Sequence, residues 1–453
     1  MRLSVAPKRW RLWLSCRVEL CECLIGFCSR ILGMYVKSVE FENLRCFKKG
    51  RIEFRYPGDG LKTPDGVPNF DNVNVILGIN GSGKTTALKA VALAMIGQFP
   101  RQTGFVPYDL VRQQSDEGML TKIKVSVLPT EAENVKQLEF ESIIKAVHST
   151  EEIFPVKPND TEIFFDEKSS AYFLIAYGAT RRVETENFTP AARRKERFAR
   201  YQRIASLFEE QFTLLPLSAW LEQIMGINLD NTRWQEQDDL LHTLLPEGIT
   251  RDSVSLTNAL FEQNYTVLRF SALPDGYRAY IGWIVDLIHH ISVVCPEDLK
   301  LNSLQGVVMV DEIDLHVHPT WQRSIIAHVA KALPFIQFIF TTHSPIVAGS
   351  VSSQNLWVTR TLEDGSSSIE RPSTEIYGLN ADQILTSDVF GLESTRAEGF
   401  LHNLETLERK AVRGDSQAAL DLMRAMARGQ GAIKKNPEPP AWVKKAARRQ
   451  KSV

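Results

Sequence analysis

The stretch GINGSGKTT, from Gly78 to Thr86, fits the pattern G-x-x-x-x-G-K-[ST]. Glycines at these positions let backbone N–H groups turn inward around phosphate oxygens with no Cβ in the way. Lys84 would reach the β- and γ-phosphates of a nucleotide, and the Thr85 hydroxyl would ligate Mg²⁺. Asn80, Gly81, Ser82, Gly83 and Thr86 complete the cradle. A second stretch, VVMVDEIDLHVHPTWQ (307–322), ends an apolar run on Asp311 and Glu312. Asp311 would hold Mg²⁺ directly or through water, and Glu312 is placed to orient and deprotonate an attacking water. A third, FIFTTHSP (338–345), delivers His343 about thirty residues later, where an imidazole could reach a γ-phosphate. Phosphoryl transfer needs little more than a positioned nucleophile and cations on the developing charge.

His316 and His318 follow the acid pair at i, i+2, a spacing that does not put them on one helix face, and no third metal ligand lies close. They are expected to shape the turn behind the acids, before Pro319 starts a helix; a subunit interface would suit them as well. Among the cysteines, Cys16, Cys21, Cys23 and Cys28 cluster near the start, but their spacing matches no usual zinc pattern.

These residues need elements to position them. Asn72–Leu77 is a short apolar run entering the glycine-rich loop, and Lys84–Met95 forms helix. Gly306–Val310 and Phe335–Phe340 are continuous apolar runs, as expected of strands buried on both faces of a largely parallel sheet. Pro319–Leu333 between them is helical, as is Gly276–Ile291. Val36–Phe41, Arg51–Phe54, Leu120–Leu128, Val135–Ile144 and Tyr172–Tyr177 read as further strands. The fold class is therefore α/β: a mixed sheet carrying the phosphate loop, a mostly helical insertion over 193–270, and a helical unit over 361–428 after a turn at DGSSS. The core lobes fall at 34–192 and 271–360. Residues 429–453 form a basic Pro/Lys/Arg-rich tail expected to be disordered, and residues 1–33 a dispensable extension ahead of Met34. An amphipathic membrane-surface helix is the alternative for that extension.

Composition narrows the class. With 53 basic and 54 acidic residues the net charge is −1, so no global attraction to nucleic acid follows. A local basic cluster, Arg193, Arg194, Lys195, Arg197, Arg200 and Arg203, could track a nucleic-acid backbone; a solvated helix face is the equal alternative. Only Cys46 and Cys295 lie in the main body, which reads as reduced and cytoplasmic, and no stretch has the apolar length of a membrane span.

The three stretches together resemble the ATP-binding-cassette-type AAA ATPases related to the RecF and overcoming-lysogenization-defect proteins. YGATRR (177–182), LPDGYRAYIGWIVDL (273–287) and YGLNADQIL (377–385) are similar to the bacterial ATPases of Septu and retron-associated anti-phage systems. The resemblance spans roughly residues 34–400. It implies ATP and Mg²⁺ as ligands and two ATPase domains closing around ATP, hence a homodimer or higher even-numbered oligomer. It also places the signature motif, which meets the partner's nucleotide, at Leu273–Tyr277. Pro274 stands there where serine is usual, so that contact would come from the backbone around Asp275 and Gly276. Gln113 and Gln114 stand in the region of the Q-loop, with Gln113 a candidate near Mg²⁺, and Arg45 could meet the nucleotide from the first strands.

After residue 370 no glutamate plus Asp-x-Asp arrangement suggests a nuclease centre, so the effector is expected to be a separate nuclease. The reading is an ATPase that dimerises around ATP and controls that nuclease in anti-phage defence. The alternative is a RecF-like DNA repair or clamp ATPase. A transporter motor is disfavoured, because LPDGY replaces the transporter signature.

Overall fold

The computed structural model describes residues 33–96, 110–112, 120–130, 137–147, 150–156, 172–183, 199–214, 232–245, 249–251, 260–263 and 266–429. The Cys16–Cys28 cluster, Gln113, Gln114, Arg193–Arg197 and the basic tail lie outside them.

The strands in chain order are β1 (Met34–Leu44), β2 (Phe47–Glu53), β3 (Val73–Gly78), β4 (Leu120–Pro129), β5 (Leu138–Val147), β6 (Thr150–Val156), β7 (Leu174–Tyr177), β8 (Arg182–Val183), β9 (Thr213–Leu214), β10 (Ile249–Arg251), β11 (Leu260–Gln263), β12 (Thr266–Arg269), β13 (Gly306–Val310), β14 (Ile336–Thr342), β15 (Leu356–Thr361) and β16 (Ser367–Glu370). Eleven of them form one mixed sheet in the order β6-β5-β4-β1-β2-β16-β15-β3-β14-β13-β7. From β7 through β13, β14 and β3 to β15 the strands run parallel. Beyond them β1, β2, β4, β5 and β6 pair antiparallel.

The apolar runs are buried on both faces, and their period-2 alternation divides the core in two. Val73, Val75 and Leu77 of β3, Val308 and Val310 of β13, and Phe338 and Phe340 of β14 face the helices Asp275–Val294 and Ile325–Ala332. Ile76, Val307, Met309 and Ile339 face the other way, toward the helix Lys84–Ile96 and the antiparallel strands. That helix is apolar nearly all round because the sheet and the antiparallel lobe enclose it. The fully buried Gln337 of β14 joins the halves: its amide oxygen accepts from Val36 N–H at 2.8 Å, and its amide nitrogen donates to Val36 O and Arg55 O, each at 2.7 Å. The β1 register against β4 shifts between Val36 and Ser38, beside the Val36 groups that Gln337 holds.

Three expectations differ from the structure. The region 193–270 carries helices Ala199–Phe208 and Thr232–Leu244, but also a small antiparallel sheet of β10, β11 and β12. Strands of three or four residues offer too little alternation to be read. Residues after 361 are not wholly helical, since β16 returns to pair with β15. The helix expected over Pro319–Leu333 is two, Pro319–Gln322 and Ile325–Ala332, with Arg323 and Ser324 between.

The chain divides into two units, Met1–Gly391 and Leu392–Val453. In the second, helices Glu398–Val412 and Ser416–Gly429 pack as a hairpin, the Asp415 carboxylate accepting from Gln417 and Ala418 N–H to cap the latter. Among the described residues no helix is long and apolar enough to cross a membrane.

Candidate nucleotide site

Parallel pairing sets the site. β14 lies between β3 and β13, so the phosphate loop, the acid pair and the histidine all emerge at the carboxyl ends of neighbouring strands. Gly83 has a φ of 105°, and a Cβ there would lie 2.4 Å from the Phe47 ring; only glycine can make this turn into the helix. Ser82 Oγ hydrogen-bonds Ile79 O at 2.7 Å and Thr359 Oγ1 at 2.6 Å, pinning the loop to β15. Asn80 and Gly81 are exposed at its tip, while Thr86 is buried in the first helical turn.

The buried Lys84 ammonium donates to Ile79 O at 3.0 Å and lies 3.3 Å from His343 Nδ1. Burial lowers its pKa, opposed by the charges of Asp311, Glu312 and Asp314. A lysine held in this way, at a helix N-terminus beside a glycine-rich loop, fits a polyphosphate. Thr85 Oγ1 donates to Asp311 Oδ2 at 2.7 Å. These are the hydroxyl and carboxylate expected to hold Mg²⁺, and their adjacency fits a hard divalent cation. Among the described residues there is no cluster of His, Cys, Asp and Glu that would form an all-protein metal cage.

Thr341 escaped the sequence reading. It is fully buried, donates from Oγ1 to Asp311 Oδ1 at 2.5 Å, and accepts the Glu312 N–H at 2.7 Å. In FIFTTHSP it looks like an ordinary strand threonine; only the register that sets β14 beside β13 gives it this work. Arg181 is the second residue missed. Its guanidinium is buried, with one terminal nitrogen donating to Asp311 O and the other to Glu312 O at 2.8 Å. Burial pulls its pKa down to about 10, against the charges of Asp311, Glu312 and Asp314. The signal was in YGATRR, which marked the resemblance but suggested no role.

Glu312 takes a left-handed backbone, φ 49°. Its Oε1 lies 3.5 Å from His343 Nε2. The imidazole, together with Lys84 and Arg181, holds this carboxyl below the usual glutamate range, although burial pushes the other way. An ionised carboxylate beside an imidazole and a lysine can take a proton from a nucleophile.

Behind the acids, Thr342 Oγ1 donates to Asp314 Oδ1 at 2.5 Å and Ser344 Oγ to Gln322 Oε1 at 2.7 Å, so the histidine loop is fastened to the turn 314–318. His318 caps the helix Pro319–Gln322, its Nδ1 accepting from Thr320 N at 3.4 Å. His316 has φ 63°, and a Cβ on Gly276 would lie 2.0 Å from its carbonyl oxygen. Gly276 is thus required by contact within the chain, and Tyr277 packs on Trp321 with ring centroids 5.4 Å apart. Asp275, 81% exposed along its side chain, pairs with Arg278 at the N-terminus of the long helix. Arg45 is exposed; its charge is felt at Lys89 of the phosphate-loop helix. Arg203 is buried under Phe173, 5.6 Å from the ring centroid, and so contributes nothing to a basic surface.

Residues 73–348 match the family described as "AAA domain, putative AbiEii toxin, Type IV TA system", over half of the chain. The chain belongs to this AAA ATPase family. It is 24% identical over 369 residues to the Septu protein PtuA of Bacillus mycoides (strain KBAB4), covering 80% of this chain and 45% of that protein. It is 36% identical over 154 residues to the "Retron Ec83 probable ATPase" of Escherichia coli, covering 34% and 28% respectively. The chain therefore spans less than half the length of these curated relatives. The SMC head domain from Thermotoga maritima aligns with a TM-score of 0.42 at 12% identity, covering 75% of this chain and 99% of that one. This AAA ATPase is related to Septu PtuA and to the retron ATPases.

Proposed function

We propose that this ATPase binds ATP with Mg²⁺, hydrolyses it slowly with Glu312 as general base, and uses the ATP-bound state to dimerise and control a separate nuclease. The observation that carries the reading is the convergence of Lys84, Thr85, Asp311, Glu312 and His343 at adjacent strand ends. When bound, Mg²⁺ would neutralise phosphate charge, with Thr85 and Asp311 as its protein ligands. Lys84 binds and orients the phosphates. Glu312 takes a proton from the attacking water, and His343 stands between Glu312 and Lys84 to hold the reacting end. The seating of the long helix on His316 and Trp321 brings Asp275 and Gly276 next to the turn behind the acids. The helix N-terminus at Asp275 stays exposed beside that turn, which supports a signature role for this segment across a dimer. The names of the Septu and retron relatives support the defence setting.

The test is a pull-down of tagged Glu312→Gln protein, expressed with its neighbouring genes, in ATP and Mg²⁺, with native mass and bound proteins read by mass spectrometry. The expected result is a nuclease held stoichiometrically on an even-numbered ATPase assembly. A lone dimer that retains DNA would replace this reading with the repair clamp.

A further inference from the structure

The left-handed conformation of Glu312 is not free. For an L-residue other than glycine it is strained, and it persists only where neighbours fix it. Both peptide groups flanking this residue are held: Thr341 Oγ1 accepts the N–H at 2.7 Å, and Arg181 donates to the carbonyl at 2.8 Å. Arg181 also donates to the preceding carbonyl, of Asp311. Two consecutive carbonyls gripped by one side chain need a planar fork of donors, which lysine lacks. The third nitrogen, Nε, is buried without a hydrogen-bond partner among the described residues, so the polar reach of Arg181 is directed to these two oxygens. Its segment is itself held in place. β8, which begins at the next residue, pairs with β9, and Val183 lodges against the long helix, where a Cβ on Gly282 would lie 2.2 Å from Val183 Cγ2.

We propose that Arg181 is a positioning residue for ATP hydrolysis: its guanidinium holds the Asp311 and Glu312 carbonyls so that the Glu312 carboxylate faces His343. It touches neither nucleotide nor reacting water and acts through Glu312, so the inference rests on the catalytic role proposed above. Leu315 N–H also donates to the Glu312 carbonyl, at 3.0 Å, but it is the fork that ties that carbonyl to the one before it. Without the fork this stretch loosens and the Glu312 carboxylate shifts from its place beside His343. Misplacement by about 1 Å costs on the order of 100-fold in rate.

The test is a double-mutant cycle on the full chain: wild type, Arg181→Lys, Glu312→Gln and the double variant, with ATP affinity and single-turnover hydrolysis measured for each. Arg181→Lys is expected to bind ATP within about 3-fold of wild type, because Lys84 and the loop amides are untouched, and to hydrolyse it about 10- to 100-fold more slowly. Combined with Glu312→Gln it should add no further loss, since the group it positions is already gone. An equal additional loss in the double variant, or a wild-type rate for Arg181→Lys, overturns the inference while leaving Glu312 as the base. A wild-type rate for Glu312→Gln overturns both. If Arg181→Lys does not fold, the same cycle with Arg181→Gln decides; if neither folds, Arg181 is a structural core residue and the inference falls.

Discussion

Replacing Thr341 with valine keeps the shape of a fully buried side chain and removes one oxygen. That oxygen donates to the Asp311 carboxylate and accepts the Glu312 N–H. Loss of a hydrogen bond to a charged group costs about 1.5–3 kcal/mol, and leaving a buried N–H unsatisfied costs about 1–3 kcal/mol. The two losses share one atom and one local relaxation, so we expect about 3 kcal/mol in total rather than their full sum. Thr341→Ser, which keeps the hydroxyl and loses only a methyl group, should stay within about 1 kcal/mol of wild type. Guanidinium denaturation of the three proteins reads this as a fall in midpoint at unchanged slope. Turnover should fall with it, because the same oxygen braces Asp311 and Glu312 together. If Thr341→Val unfolds at the wild-type midpoint, the buried oxygen does not support the acid pair and the reasoning from hydrogen-bond satisfaction is wrong.

Lys84→Ala should weaken ATP binding by at least about 100-fold, ~2.7 kcal/mol, in a fluorescent-nucleotide titration; wild-type affinity would remove Lys84 from the phosphate site. Because the Glu312 carboxyl is held below its ordinary range, its ionised form stabilises the fold above the unfolded glutamate pKa of about 4.3, and that contribution is lost as pH falls through the lower folded value. The melting-temperature gap between wild type and Glu312→Gln should therefore be widest near neutrality and close in acid; a gap independent of pH would contradict the charge environment described. Gly276→Ala puts a Cβ against the His316 carbonyl and should cost about 1–3 kcal/mol in denaturant unfolding, whereas an unchanged midpoint would mean that helix and turn move apart freely.

The parallel half of the fold and the residues of the phosphate loop were legible because their chemistry sits in contiguous stretches. GINGSGKTT and VVMVDE each carry strand, turn and ligands in one run, and apolar continuity told which strands were buried on both faces. What stayed hidden depends on register across the sheet. Thr341 acquires its role from standing next to Asp311, and Arg181 from a path that starts on a third strand, neither of which any spacing encodes. Gly276 was read for a role at a partner's nucleotide, while the contact with the His316 carbonyl, which leaves no room for a side chain there, is invisible in the sequence. β16 was overlooked because a four-residue strand after a serine-rich turn has almost no apolar signature.

The Gln337 joint has a consequence for how the two halves of the sheet can vary. A single glutamine meets β1 and the segment after β2 only through main-chain groups, at Val36 and Arg55. Such a fastening does not read the side chains of the lobe it holds. The polar part of the seam is therefore indifferent to which side chains the outer strands carry there, and it is the buried cluster of Val36, Val39, Phe41, Ile76, Val307, Met309 and Ile339 that restricts how their inner face can vary. At the far end of the same seven-residue strand stand Thr341 and Thr342, so one short rod carries both the hinge-pin of the lobe and the brace of the acids.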